Sequence, residues 1–281
     1  MIQVDNVSKI YKTKNSKNEK ETVAVDKISC KFNSGKITGL LGVNGAGKST
    51  LLKMLSGNLV PSFIENSEGK ILIDSVDLYD NSLKDNTSLL KEKIGFVQEL
   101  PSFYEDETVF ELLNFTVNFY YEEKNQAKQI LEKLILQCNL KDVLNKKIKT
   151  LSKGYKQRLS FAVALSNNPE ILLLDEPISG LDPIQINEIR QLIINLKKNK
   201  TIILSTHIMQ EVQALCDKII ILDEGKILAQ GTEEEICKQL NVENIEKAFL
   251  NLVSKNQNEV EKKWLKQKCK TVLFHTNFLF Y

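Results

Sequence analysis

At 281 residues the chain is long enough for roughly two structural units of about 150 residues each. Its side chains are 42% hydrophobic and 26% charged, with 12 glycines and 5 prolines, which excludes a disordered protein. Thirty-eight basic against 36 acidic side chains leave a formal charge of +2, and Arg158 and Arg190 are the only arginines, so composition supplies no basic face for nucleic acid.

The opening MIQVDNVSKIYK has no apolar run of the signal-peptide kind, and no stretch approaches the roughly 20 apolar residues that cross a bilayer. Cys30, Cys138, Cys216, Cys237 and Cys269 are scattered and form no CxxC pair, so they are expected to be inert thiols of a soluble protein in a reducing compartment. Short strands are predicted at 2–4, 23–32 and 70–73. The charged run KTKNSKNEKE at 12–21 reads as a solvated hairpin loop, and 61–69 as a second surface loop.

Residues 37–50, ITGLLGVNGAGKST, run an apolar strand into the pattern GxxxxGK[ST]. Gly42, Asn44, Gly45, Ala46 and Gly47 are the loop. Its glycines let backbone N–H groups turn inward around phosphate oxygens. A helix starting near Lys48 aims its positive end at the same anion. Lys48 is placed for the β- and γ-phosphates and Ser49 for Mg²⁺, with Thr50 beside them. This pattern predicts binding of a nucleoside triphosphate, ATP in the reading taken here.

Further along, IGFVQ ends a strand on Gln98, whose amide can sense Mg²⁺ or water. From about 107 to 165 the apolar spacing is helical, as in Val109, Leu112, Leu113 and Val117. LSKGYKQRLS follows, with Ser152 as a helix N-cap, Gly154 leaving the N–H groups open, and a helix predicted from Lys156 to about Ser166. Two readings stand for this segment: a second phosphate-binding helix end, or an ordinary capped helix. ILLLDEP at 171–177 reads as a buried strand ending in two carboxylates. Asp175 is placed to hold Mg²⁺ and Glu176 to orient and deprotonate the attacking water. Asp182 follows in SGLDP, and His207 ends TIILSTH, where an imidazole can hydrogen-bond a γ-phosphate oxygen. Strands and helices alternate from 171 onward, which implies a parallel sheet with crossover helices and the helical middle inserted into it.

Taken in order, Gly42–Thr50, Gln98, Leu151–Arg158, Ile171–Pro177, Ser179–Asp182 and His207 resemble the motif set of the nucleotide-binding subunit of an ABC transporter, over about residues 1–250. The resemblance implies an α/β P-loop NTPase cassette, with a parallel-sheet core, an antiparallel β subdomain and an inserted helical subdomain. It places the cassette at 1–235 with the helical insert at about 99–165, and a C-terminal helical extension and tail at 236–281. It implies an ATPase that dimerises head to tail with a second copy or a related cassette. Each ATP then meets the partner's Ser152, Lys153, Gly154 and Asp182, while Tyr11 stacks on adenine and Mg²⁺ is held by Ser49, Gln98 and Asp175. An integral membrane permease is the implied partner, docked near 98–108 through Leu100, Phe103 and Tyr104 on the cytoplasmic face of the cell membrane; nucleic acid is not. Lys153 and Tyr155 depart from the family's common LSGGQ signature. That SKGY form, with GFVQELPSFYEDETVFELLNF, resembles the drug-, sodium- and lipid-export branch. The alternative is a soluble ABC-type switch in translation or DNA maintenance, whose relatives usually carry two cassettes or a long coiled coil. The tail at 254–281 and His275 receive no role.

Overall fold

Two long strands open the chain, β1 (Ile2–Asn15) and β2 (Asn18–Phe32), paired antiparallel. The structure, a computed structural model, describes residues 1–15, 18–62, 69–80 and 84–256. The expected loop at 12–21 is instead strand on both sides of residues 16–17, which lie outside the described residues, with pairing from Lys12↔Glu21 to Asn15↔Asn18. A ladder satisfies backbone N–H and C=O groups whatever the side chains are, so a charged run offers no alternation to read. β4 (Lys70–Ile73) joins the other edge of β1, and β5 (Val76–Asp77) completes a four-stranded antiparallel sheet in the order β2-β1-β4-β5. The second expected loop falls partly outside the described residues, at 63–68; Pro61, Ser62 and Gly69 have no regular structure.

The larger sheet has the order β10-β9-β3-β8-β7-β6. Its strands are β3 (Ile37–Leu41), β6 (Ile94–Val97), β7 (Ile171–Asp175), β8 (Thr201–Thr206), β9 (Lys218–Asp223) and β10 (Lys226–Gly231). The first five run parallel, and β10 is the antiparallel edge. Every residue of β3, β7 and β8 is buried, as expected of strands covered on both faces. On one face lies α1 (Lys48–Leu55), whose Leu51, Leu52, Met54 and Leu55 are at most 1% exposed and pack with the smaller sheet. Burying each contributes about 1.5–3 kcal/mol. The short α2 (Lys84–Glu92) leads into β6.

The helical middle comprises α3 (Val109–Tyr120), α4 (Lys124–Gln137), two single-turn 3-10 helices at Lys141–Val143 and Ile148–Thr150, and α5 (Lys153–Ala164). Thr108 and Glu111 close a capping box at the start of α3, with Thr108 N donating to Glu111 Oε2 at 2.8 Å. α5 begins three residues earlier than Lys156, because Ser152 Oγ accepts from Tyr155 N and caps it there. Val109, Leu113, Val117, Leu134 and Leu159 share one continuous core with Leu172 and Leu174 of the sheet and with Ile193 of α6 (Pro183–Lys197). A third cluster packs α7 (Met209–Leu215), α8 (Glu233–Leu240) and a helix at 245–256 (α9) over Leu41, Ile219 and Ile221. Residues 257–281, with Cys269, His275 and most of the predicted tail, lie outside the described residues. Among the described residues no helix is long and apolar enough to cross a membrane.

Candidate nucleotide site

The loop after β3 depends on glycine at two of its positions. Gly47 has φ +100°, and a Cβ there would stand 2.3 Å from the Ala24 carbonyl oxygen of β2. A Cβ on Gly42 would come within 2.5 Å of the Leu222 carbonyl oxygen of β9. The loop is fastened at its far side by Gly225 N, which donates to Ala46 O at 3.1 Å. α1 starts at Lys48 with Gly47 as N-cap and no side-chain cap, so its first N–H groups keep their donors for an anion. Lys48 is only 5% exposed, and its Nζ donates to the carbonyl oxygens of Gly42 at 2.8 Å and Val43 at 3.2 Å.

The carboxylates arrive at the same place because β8 lies between β3 and β7. Asp175 Oδ1, at the end of β7, accepts from Ser49 Oγ at 2.9 Å and from Ser205 Oγ at 2.6 Å. Ser205 also receives the Glu176 N–H, on its Oγ at 3.1 Å and its carbonyl at 3.2 Å. Glu176 adopts φ +47°, a left-handed backbone that costs a side-chain-bearing residue roughly 1–2 kcal/mol. Its carboxylate, 8% exposed, stands with Oε1 3.5 Å from Lys48 Nζ and Oε2 2.9 Å from His207 Nδ1.

These groups line a cavity of about 410 Å³, within the range of small-ligand sites. Of the residues singled out in the sequence, Asn44, Gly45, Gly47, Lys48, Ser49, Thr50, Glu176 and His207 line it. Gly42 and Ala46 shape the loop from behind. Ser179, the first residue of the Ser179–Asp182 motif, also lines it, as do Ala24 and Glu99, which escaped sequence reasoning along with Ser205, the hydroxyl that joins the two carboxylate positions. A signal for Ser205 existed: a hydroxyl interrupting an apolar strand two residues before His207.

Other predicted residues stand apart from this cavity. Gln98 is exposed just beyond β6, and its neighbour Glu99 lines the wall. Tyr11 is 40% exposed, carries Lys9 Nζ 5.7 Å above its ring, and pairs with Thr22, two residues along β2 from Ala24. Ser152 and Lys153 are exposed at the head of α5. Gly154 is buried rather than open: the Gln185 side chain covers it, so closely that a Cβ would lie 2.5 Å from Gln185 Cδ. The sequence offered no hint of that lid, since Gln185 belongs to α6. Asp182 caps α6, accepting from Ile184 N at 3.0 Å and Gln185 N at 2.9 Å. Tyr155 receives the Arg158 guanidinium over its ring at 5.3 Å, and Arg158 also pairs with Glu188 of α6. Near 98–108, Leu100 and Tyr104 are 74% and 78% exposed, but Phe103 is turned inward against the core.

Cys30 and Cys138 are buried, and burial pushes their thiols up to about 12, away from the reactive thiolate. Among the described residues no three His, Cys, Asp or Glu side chains converge as metal ligands. What the site does offer a cation is the oxygen pair Ser49 Oγ and Asp175 Oδ1 beside the phosphate loop. That pair suits an ion which keeps its waters and takes further ligands from a bound phosphate.

A glycine loop feeding a helix N-terminus, a buried lysine and the strand-end Glu176 around one cavity, with Asp175 bonded to Ser49 of the loop, define a phosphate-loop nucleoside triphosphatase. Residues 25–179 match the model of the ABC transporter family. The linearmycin resistance ATP-binding protein LnrL of Bacillus subtilis is 36% identical over 263 residues, which are 89% of this chain and 78% of that protein. The methionine import ATP-binding protein MetN of Haemophilus influenzae is 33% identical over 239 residues, 84% of this chain and 66% of that protein. A solved dimeric ATP-binding cassette in a post-hydrolysis state, bound to ADP and Pi, superposes with a TM-score of 0.72 at 27% identity, covering 83% of this chain and 98% of the other. The chain belongs to the ABC transporter family, as an ATP-binding and ATP-hydrolysing cassette of a transporter.

Proposed function

We propose that this cassette powers export through a separate membrane permease, hydrolysing ATP with Mg²⁺ at the cavity between the phosphate loop and Glu176. The observation that carries the hydrolytic part is the convergence of Lys48, Glu176 and His207, from three different strand ends, on one cavity, with Asp175 bonded to Ser49 of its lining. Ser49 and Asp175 are the residues that would hold Mg²⁺ beside a bound nucleotide, and the ion would supply positive charge against the charge that develops there. Lys48 turns from the loop carbonyls to the β- and γ-phosphates. Glu176 takes the proton of the attacking water, and His207 orients that carboxylate and contacts the γ-phosphate. Gln98, Tyr11 and Thr50 complete the nucleotide contacts in this reading.

The signature end of α5 serves a second cassette. Ser152 and Lys153 are exposed and lie off the chain's own cavity, as do Gly154 and Asp182, which fits a head-to-tail pair in which each ATP touches both chains. The domain division at 1–235 and 236–281, with the insert at about 99–165, belongs to the same reading. So does attachment to the cytoplasmic face of the membrane through the permease, for which exposed Leu100 and Tyr104 supply apolar contacts.

Export rather than import rests on the SKGY signature, on the segment after Gln98, and on likeness to a resistance protein. Inside-out membrane vesicles holding the cassette and its permease test it. ATP-driven accumulation of cargo inside such vesicles is the expected result, and ATP-driven loss of preloaded cargo means import.

A further inference from the structure

The turn from β8 into α7 carries His207, and the two side chains that fasten it are almost wholly buried: Thr206 is 0% and Glu211 1% exposed. Ile208 N donates to Thr206 Oγ1 at 3.0 Å. The Glu211 carboxyl, on the first turn of α7, lies close enough to the Thr206 hydroxyl for that hydroxyl to favour its ionised form. The Ile208 N–H thus closes over His207 onto a buried hydroxyl that has Glu211 as its neighbour. The second oxygen of Glu211, Oε2, has no hydrogen-bond partner, and neither has Nε of Arg190 on α6, the helix packed against α7. A buried carboxylate with an open oxygen is costly to keep, and such costs gather where a site needs them.

We propose that Glu211 is the positioning residue of His207: its ionised carboxyl grips Thr206 and thereby holds the imidazole against Glu176. This rests on the reading of Glu176 and His207 as the hydrolytic pair. The charges facing Glu211 come from Glu176 at the end of β7, Arg190 on α6 and His207 on the turn itself, with the Cys216 thiol at the end of α7. Burial pushes the carboxyl up to about 7; the Thr206 hydrogen bond, Arg190 and His207 pull it down, and Glu176 pushes it further up. Above that pH the grip is engaged, and below it the carboxyl takes a proton and no longer attracts the hydroxyl as an anion.

The test is steady-state ATPase activity of the full chain from about pH 6 to 9, with ATP binding measured separately. Glu211→Gln is expected to lower kcat at pH 8 about 10- to 100-fold, a size that a misplaced catalytic group can produce, with KM for ATP nearly unchanged. It is also expected to erase the fall of kcat below neutrality. Glu211→Asp, which keeps an ionisable group, is expected to retain that fall and recover part of the rate. A Glu211→Gln profile with the wild-type rate and shape overturns the proposal, as does an effect on KM alone. His207→Ala separates the two levels: if it hydrolyses ATP normally, the hydrolytic pair itself is misassigned, whereas an inactive His207→Ala beside a normal Glu211→Gln removes only the role of Glu211.

Discussion

The Glu176 carboxylate lies 3.5 Å from the Lys48 ammonium, and both side chains are at most 8% exposed. Breaking this contact from its two ends has different consequences. Lys48→Ala removes the cation of the phosphate loop, so ATP binding measured by calorimetry is expected to vanish along with turnover. Glu176→Gln keeps Lys48 and the loop, so ATP is expected to bind and to hold two cassettes together on gel filtration while hydrolysis falls to background. Normal turnover in the glutamine variant, with the chain monomeric in ATP, removes Glu176 from the reaction.

Gly47 and Gly35 both have left-handed backbones, φ +100° and +68°, but differ in surroundings. A Cβ on Gly35 meets nothing within 4 Å, whereas one on Gly47 runs into the Ala24 carbonyl oxygen. Gly35→Ala is expected to lose only the roughly 1–2 kcal/mol of left-handed strain and to bind ATP normally. Gly47→Ala adds a backbone collision, so a larger drop in melting temperature and weak nucleotide binding should follow. Equal melting temperatures for the two contradict this account.

Ser205 gives its hydroxyl proton to Asp175 and receives the Glu176 N–H. Ser205→Ala leaves Asp175, 5% exposed, with one donor fewer. Urea unfolding should show a loss of about 1–3 kcal/mol. Hydrolysis should fall more than ATP binding, because the hydroxyl fixes the position from which Glu176 departs. A variant of unchanged stability and activity shows that Ser205 is dispensable to both carboxylates.

Burial raises the Glu211 carboxyl from an ordinary 4.5 to about 7, which makes it a stability lever as well as a positioning group. A raised folded-state value means that the folded chain holds this proton more tightly than the unfolded one. The resulting stability is fully present below about pH 4.5 and is lost as pH rises through about 7. Above neutrality the ionised, buried carboxylate therefore costs the fold up to roughly 3 kcal/mol relative to a neutral side chain. Glu211→Gln is expected to unfold at higher urea than the wild type at pH 8, with the gap narrowing towards pH 5. A gap that stays constant with pH removes the titration from the explanation.

The sequence by itself determined the pieces whose physics is local. Gly42–Thr50 declare a phosphate cradle because glycine backbone freedom, the helix start and Lys48 sit within nine residues. The same holds for the apolar run into Asp175 and Glu176, and for Ser152 as a cap, since a cap bond spans three residues. Only the tertiary structure decided which of these pieces meet. Placing β8 between β3 and β7 is what brings Ser205 onto Asp175 and His207 onto Glu176, and strand order depends on which apolar faces pack, not on position along the chain. The inward turn of Phe103, the cover of Gln185 over Gly154 and the burial of Glu211 arise in the same way, from neighbours supplied by other elements. A carboxyl on a short helix reads as solvated until the helix facing it is known, and that helix, α6, is chosen by the packing of the whole core.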